Sequence, residues 1–164
     1  QRQLMSGLLA QLFKPGPTSV TARLIVSKAH EARGDYGLRQ LVENITRRVA
    51  ARDQLSEVLA CYHWLLKNCR YLNDPKGVEL VRDARAALAS GQLDCDDFAV
   101  VMGAFALLLG REIRVATGGF HARGAHQHTW VEVLVNGNWV ACDPVAGTRT
   151  PKMLGSIKSW SLFR

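Results

Sequence analysis

Cys95, His128 and Asp143 are the residues whose types and order could carry covalent chemistry. Cys95 lies in Asp94-Cys95-Asp96-Asp97, directly ahead of an apolar run from Phe98 to Leu109 that Gly110 closes. The run has no charge and no clear polar face, which predicts a helix buried on every side. Asp94 suits its N-cap and Gly110 the left-handed position that ends it. Cys95 then falls in the first helical turn, where unpaired N–H groups and the positive end of the dipole favour a thiolate. Asp96 and Asp97 stand beside the thiol and oppose that ionisation by charge repulsion. A lone cysteine is more often core filling than nucleophile, so the case depends on what the chain can bring to meet it.

The partners come from a hairpin. His126 to Val135 alternates as a strand, Asn136-Gly137 is a strong two-residue turn signal, and Asn138 to Asp143 is the return strand, ended by Pro144. A type I′ turn pairs Val135 with Asn138 and so sets Asp143 opposite Trp130. His128, Trp130 and Glu132 share the face of Asp143. His128 is the diagonal neighbour at about 7–8 Å, within reach for an imidazole Nδ1–H to meet the carboxylate. A one-residue change in the turn would put Asp143 on the opposite face. His126 is one step further out and His121 lies in the preceding loop with Arg123. A cysteine at a helix start, a histidine to take its proton and an aspartate to orient the histidine form a thiol-nucleophile set. Singly, His128 reads as a sheet histidine and Asp143 as a turn residue; their order and geometry together favour a site.

The elements that must position these residues run helices first. An apolar patch from Leu4 to Phe13, suited to a small docking helix, breaks at Lys14-Pro15-Gly16-Pro17, so residues 1–17 form an arm or linker ahead of one domain, 18–164. Thr18 to Arg33 is open between a helix, which Val20, Leu24, Ile25 and Ala29 fit and which is preferred, and a strand, which its β-branched density fits; Asp35 to Ala50 is helical, with Leu38, Leu41, Val42, Ile45 and Val49 at helical spacing. Asp53 caps a third helix, on which His63 falls off the apolar stripe and reads as a surface histidine. Val78 to Ser90 reads as one short helix that Gly91 ends. After Gly110 the pattern alternates: Ile113 to Thr117 is a strand stopping at Gly118-Gly119, the hairpin follows, and the tail around Trp160 could add another strand. Helices followed by an antiparallel meander predict an α+β domain.

Composition sets bounds. The 164 residues are 48% hydrophobic, enough for one domain with a core. No apolar run approaches the roughly 20 residues of a membrane span, and no leader segment is visible at Gln1. Cys61, Cys69, Cys95 and Cys142 are too scattered for a disulfide framework, and Cys61 and Cys69 are separated by roughly 12 Å of helical rise. A reducing, cytoplasmic or virion-associated setting is expected. The net charge of +7 arises at the ends: residues 1–30 and 144–164 hold basic residues and no acid, around a nearly neutral body. That distribution favours packing or docking ends over nucleic-acid binding.

The site segments resemble the transglutaminase-like superfamily of papain-like fold. They are Asp94-Cys95-Asp96-Asp97 heading the buried helix, His128-Thr129-Trp130-Val131-Glu132-Val133, and Trp139-Val140-Ala141-Cys142-Asp143-Pro144. Trp64 to Tyr71 is similar to the helix leading into that core, and Asp74-Pro75-Lys76-Gly77-Val78-Glu79 to the branch encoded by phages and prophages. The resemblance covers about residues 36–145. It implies a buried central helix carrying the cysteine on an antiparallel sheet, and a Cys95–His128–Asp143 triad acting on an amide through a thioester. It implies no cofactor, a peptide or protein amide as substrate, phage structural proteins as candidate partners, and hydrolysis before cross-linking. Leu93 stands where the family often has a small residue, and the only oxyanion donor that can be assigned is the Cys95 N–H. Gln92, Asp94 and Trp130 are candidates for the oxyanion site or for lining the site, Gln92 being the candidate second oxyanion donor. Two other classes compete: zinc held by His126 and His128 with Cys95 or Asp143, and a non-catalytic assembly domain.

Overall fold

Four aspartates start four of the helices. In the computed structural model, which describes residues 11–13, 18–72, 79–119, 128–144 and 159–164, Asp35, Asp53, Asp83 and Asp94 each accept a backbone N–H from three residues ahead. The caps satisfy donors that the first helical turn leaves open. Strand β1 (Gln11–Phe13) precedes α1 (Thr18–Glu31), α2 (Tyr36–Thr46) and α3 (Gln54–Asn68). Two short strands follow, β2 (Arg70–Tyr71) and β3 (Glu79–Val81), then α4 (Ala84–Ser90), β4 (Gln92–Leu93) and α5 (Cys95–Leu108). The chain continues through β5 (Ile113–Gly119), β6 (His128–Val135), β7 (Asn138–Cys142) and β8 (Ser159–Phe163).

The expected single helix over Val78 to Ser90 is corrected here. Residues 79–81 pair antiparallel with β1, and Asp83, extended at φ −69° and ψ 158°, caps α4 only at Ala84. Residues 11–13 are correspondingly a strand and not part of a docking helix. Gly91 ends α4 with φ 65°, and Gly110 follows α5 with φ 75°, both in the left-handed region where a side chain is disfavoured.

The main sheet has the order β7-β6-β5-β8, antiparallel throughout, with the tail strand β8 on β5. Its hairpin register is the one the turn dictates: Val135 faces Asn138 and Val131 faces Cys142. Residues 96 to 106 of α5 are all buried, so this helix is surrounded by α1, α2, α3, α4 and the sheet. The approach to α1 is close: a Cβ on Gly103 would lie 3.2 Å from the Ala29 Cβ and from the Ile113 Cδ1. Val115, Val131, Val133 and Cys142 share the α5 side of the sheet. The opposite face carries Arg114, Trp130, Glu132 and Trp139. Among the described residues no helix is long and apolar enough to cross a membrane.

Candidate active site

The mouth of α5 is built from its own cap. Asp94 accepts the Asp97 N–H at 2.8 Å, which holds Cys95 in the first turn, half-buried. The thiol meets three groups. It points at the Asp96 Oδ1, 3.6 Å away; the backbone N–H of Thr129 lies near the sulfur; and so does the Tyr71 hydroxyl. Burial pushes the thiol well above its usual range, and the charges of Asp96 and Asp94 push it further, against the opposing effect of the Thr129 N–H. The expectation of a helix-stabilised thiolate is thereby corrected. A partial dipole charge does not outweigh desolvation plus two nearby carboxylates, so the resting group is a neutral thiol.

Asp97 is different. Arg82 binds it with its backbone N–H at 3.1 Å, its Nε at 2.8 Å and its Nη2, and the same Nη2 donates to the Gln92 carbonyl at 2.6 Å. One guanidinium thus ties together the end of β3, strand β4 and the first turn of α5. The Asp97 side chain is fully buried, so this pairing is what makes its burial tolerable.

On the hairpin, His128 Nε2 lies 2.6 Å from Asp143 Oδ2. The partners are those that register selects, but the nitrogen is Nε2 and not the expected Nδ1. A diagonal gap of about 7–8 Å is better spanned by the ring nitrogen farther from the backbone. The ring also stacks on Trp130, centroids 5.9 Å apart at 27°. With Nε2 committed to the carboxylate, Nδ1 is the nitrogen open to exchange a proton. Asp143 is anchored from α3, where the Tyr62 hydroxyl donates to its backbone carbonyl at 2.7 Å. Burial pushes the Tyr62 hydroxyl up to about 12, so it remains a donor.

The two halves adjoin through the backbone. The sulfur lies near the N–H of Thr129, next to His128, and the Tyr71 hydroxyl is near the charges of Cys95, Asp94 and Asp143 alike. Among the described residues no hydrogen bond runs directly between thiol and imidazole. Of the three lining candidates, Asp94 is spent on the helix cap. Gln92 is exposed, with its backbone held by Arg82 and Ser90. Trp130 is sealed beneath His128, its Nε1 donating to Glu132 at 3.2 Å, and Glu132 in turn binds Arg114. His121, Arg123 and His126 lie outside the described residues, as does most of the Asp74 to Glu79 motif. His63 is exposed.

Sequence reasoning missed Tyr71. It sits on a two-residue strand whose parallel partner is β4, with Tyr71 facing Leu93, too short for any periodicity to announce. Cys61 and Cys142 are fully enclosed in the core, with thiols pushed up to about 12, whereas Cys95 is only half-buried. Among the described residues no three His, Cys, Asp or Glu side chains are set to hold a metal ion.

A cysteine heading a buried helix, packed on an antiparallel sheet that carries a histidine–aspartate pair, defines the papain-like class of α+β folds. The profile of the transglutaminase-like superfamily matches residues 39–144, and the chain belongs to that superfamily of thiol enzymes. Two solved structures share the fold. A candidate cysteine protease from Cytophaga hutchinsonii is 21% identical with a TM-score of 0.55, the match covering 77% of this chain and 46% of that one. A candidate protease from Parabacteroides distasonis is 15% identical with a TM-score of 0.58, covering 74% of this chain and 26% of that one. The chain therefore spans under half the length of the first and about a quarter of the second. A comparison with curated proteins finds no match.

Proposed function

We propose that the chain is a thiol hydrolase of amide bonds, protease- or amidase-like, working through Cys95, His128 and Asp143. The observation that carries this reading is the His128 imidazole held at 2.6 Å by Asp143 on the strand that runs past the Cys95-bearing start of α5, with the Thr129 N–H near the sulfur. Because the resting thiol is protonated, His128 acts as a general base during attack and not as half of a standing ion pair. The Asp143 carboxylate keeps the proton on Nε2, leaving the Nδ1 lone pair to accept the thiol proton as the sulfur bonds the carbonyl carbon. The short hydrogen bond that this transfer needs forms as substrate closes the site, since catalytic contacts are commonly longer in the free enzyme. Negative charge then develops on the carbonyl oxygen, where the Cys95 N–H and the Tyr71 hydroxyl are the available donors. Collapse breaks the C–N bond, the leaving amine takes the proton from Nδ1, and a Cys95 thioester remains. Water, deprotonated by the same nitrogen, releases the acid and restores the thiol; an amine in its place would give transamidation.

Hydrolysis is favoured over cross-linking by the family resemblance, to which the two fold neighbours named as candidate proteases add. A role in phage or prophage biology, with structural proteins as substrates, belongs to the same proposal and rests on the Asp74 to Glu79 motif. The second reading, a non-catalytic assembly domain, draws on the raised Cys95 thiol. Intact-mass trapping separates them: a peptide library should leave an acyl adduct on Cys95 that Cys95→Ala abolishes and that added amine converts to amide product only in a transamidase. No adduct from any peptide would leave the assembly reading.

A further inference from the structure

We infer that the groove between α2 and α3 is a docking surface for an acidic, amphipathic protein segment. The groove has a volume of about 630 Å³ and lies apart from the residues of the candidate active site. Its floor is apolar: Leu41 and Ile45 from α2, Ala60 and Trp64 from α3. These are the partly buried residues on the outer flank of the helical stripes whose inner members, Leu38, Val42, Val58 and Leu65, are in the core. Its rim is cationic. Arg47, Arg48 and Lys67 line it together with His63, and no aspartate or glutamate does. Arg47 is at the C-cap of α2 and Lys67 in the last turn of α3, where helix dipoles favour positive charge.

The dipoles explain why cations stand there, but not why none is neutralised. Five ion pairs join described residues, and none includes Arg47, Arg48 or Lys67. An apolar floor ringed by unpaired cations complements one chemistry: a short helix with apolar anchors on one face and carboxylates on its flanks. Trp64 and the arginines are the residue types that dominate such interfaces. Single-stranded nucleic acid fits less well, because Leu41, Ile45 and Ala60 offer bases neither hydrogen bonds nor flat stacking surfaces.

The test uses the whole chain and a labelled synthetic helix of about 14 residues, with Leu at helical spacing and Glu flanking it. Controls are the same peptide with Lys for Glu, and oligothymidine. The Glu peptide should bind and shift the backbone and indole NMR signals of Leu41, Ile45, Ala60 and Trp64. Its affinity should fall at least about tenfold in the triple variant Arg47→Glu, Arg48→Glu, Lys67→Glu and fall as salt is raised. The variant's circular dichroism should match the parent, because all three are surface positions. The Cys95→Ala protein should bind equally, which keeps the outcome independent of catalysis. Absence of binding, equal binding of the Lys peptide or by the triple variant, or binding of oligothymidine alone would overturn the inference.

Discussion

Asp96 and Asp97 are adjacent in the first turn of α5, and both carboxylates are buried. On one flank, Arg82 meets Asp97 through three nitrogens and ties that turn to the end of β3 and to β4. On the other, Asp96 lies against the Cys95 thiol, with the Tyr71 hydroxyl and the Thr129 N–H as the sulfur's other neighbours. The same residue type, one position apart, thus serves as a structural lock on one side and as an electrostatic restraint on a thiol on the other. The difference comes from which side of the helix faces the strands and which faces the sheet's end. A charge count of the motif cannot distinguish them.

The largest effect should come from breaking the locked flank. Arg82→Ala leaves Asp97 buried without its cation and should cost about 3–5 kcal/mol in denaturant unfolding. The internal control is Arg85→Ala: its pair with Asp35 is solvent-exposed, and its loss should cost under about 1 kcal/mol. Equal losses would mean that the Arg82 flank is not a lock. Tyr71→Phe acts on the reactive flank. With Tyr71 as a donor to the oxyanion, as proposed, its loss should lower the acylation rate about 10²-fold or more, while the unfolding midpoint stays near that of the parent. A rate within about twofold of the parent would remove Tyr71 from the chemistry.

The smallest effect, and the most diagnostic of the comparison, is Asp96→Asn. In the parent, alkylation of Cys95 by iodoacetamide should rise only at a pH above the ~8.5 of an ordinary thiol, because burial and then Asp96 disfavour the thiolate. Removing that carboxylate removes a repulsion, so the profile should move to lower pH, read by peptide mass spectrometry of Cys95. Asp97→Asn, acting on a group already paired with Arg82, should move it less. An unchanged profile in Asp96→Asn would assign the restraint to burial and to Asp94.

The parts legible in the sequence are those governed by local rules. The cap at Asp94, the stop at Gly110 and the buried character of α5 follow from a short window of residue types. The hairpin register follows from Asn136-Gly137, and with it the choice of Asp143 as the partner of His128. What was not legible depends on segments far apart in the chain. Strands β1 to β4 are two or three residues long, so the spacing of residues 78–90 reads as one helix across β3 and no periodicity marks Tyr71. The Arg82–Asp97 pair spans β3 and α5 and leaves no periodic signal. Register does not select the ring nitrogen that meets Asp143, because side-chain reach and the stacking on Trp130 decide it.

By itself, then, the sequence determined the order of Cys95, His128 and Asp143, the helix that presents the cysteine and the strand pairing that joins histidine to aspartate. Each of these follows from nearest-neighbour backbone geometry, which residue type controls directly. Tertiary structure alone decided the protonation of Cys95, the separate fates of Asp96 and Asp97, and the presence of Tyr71 at the sulfur. Those depend on desolvation and on charges brought within a few ångströms by packing, and packing assembles groups whose sequence separation carries no information about their distance.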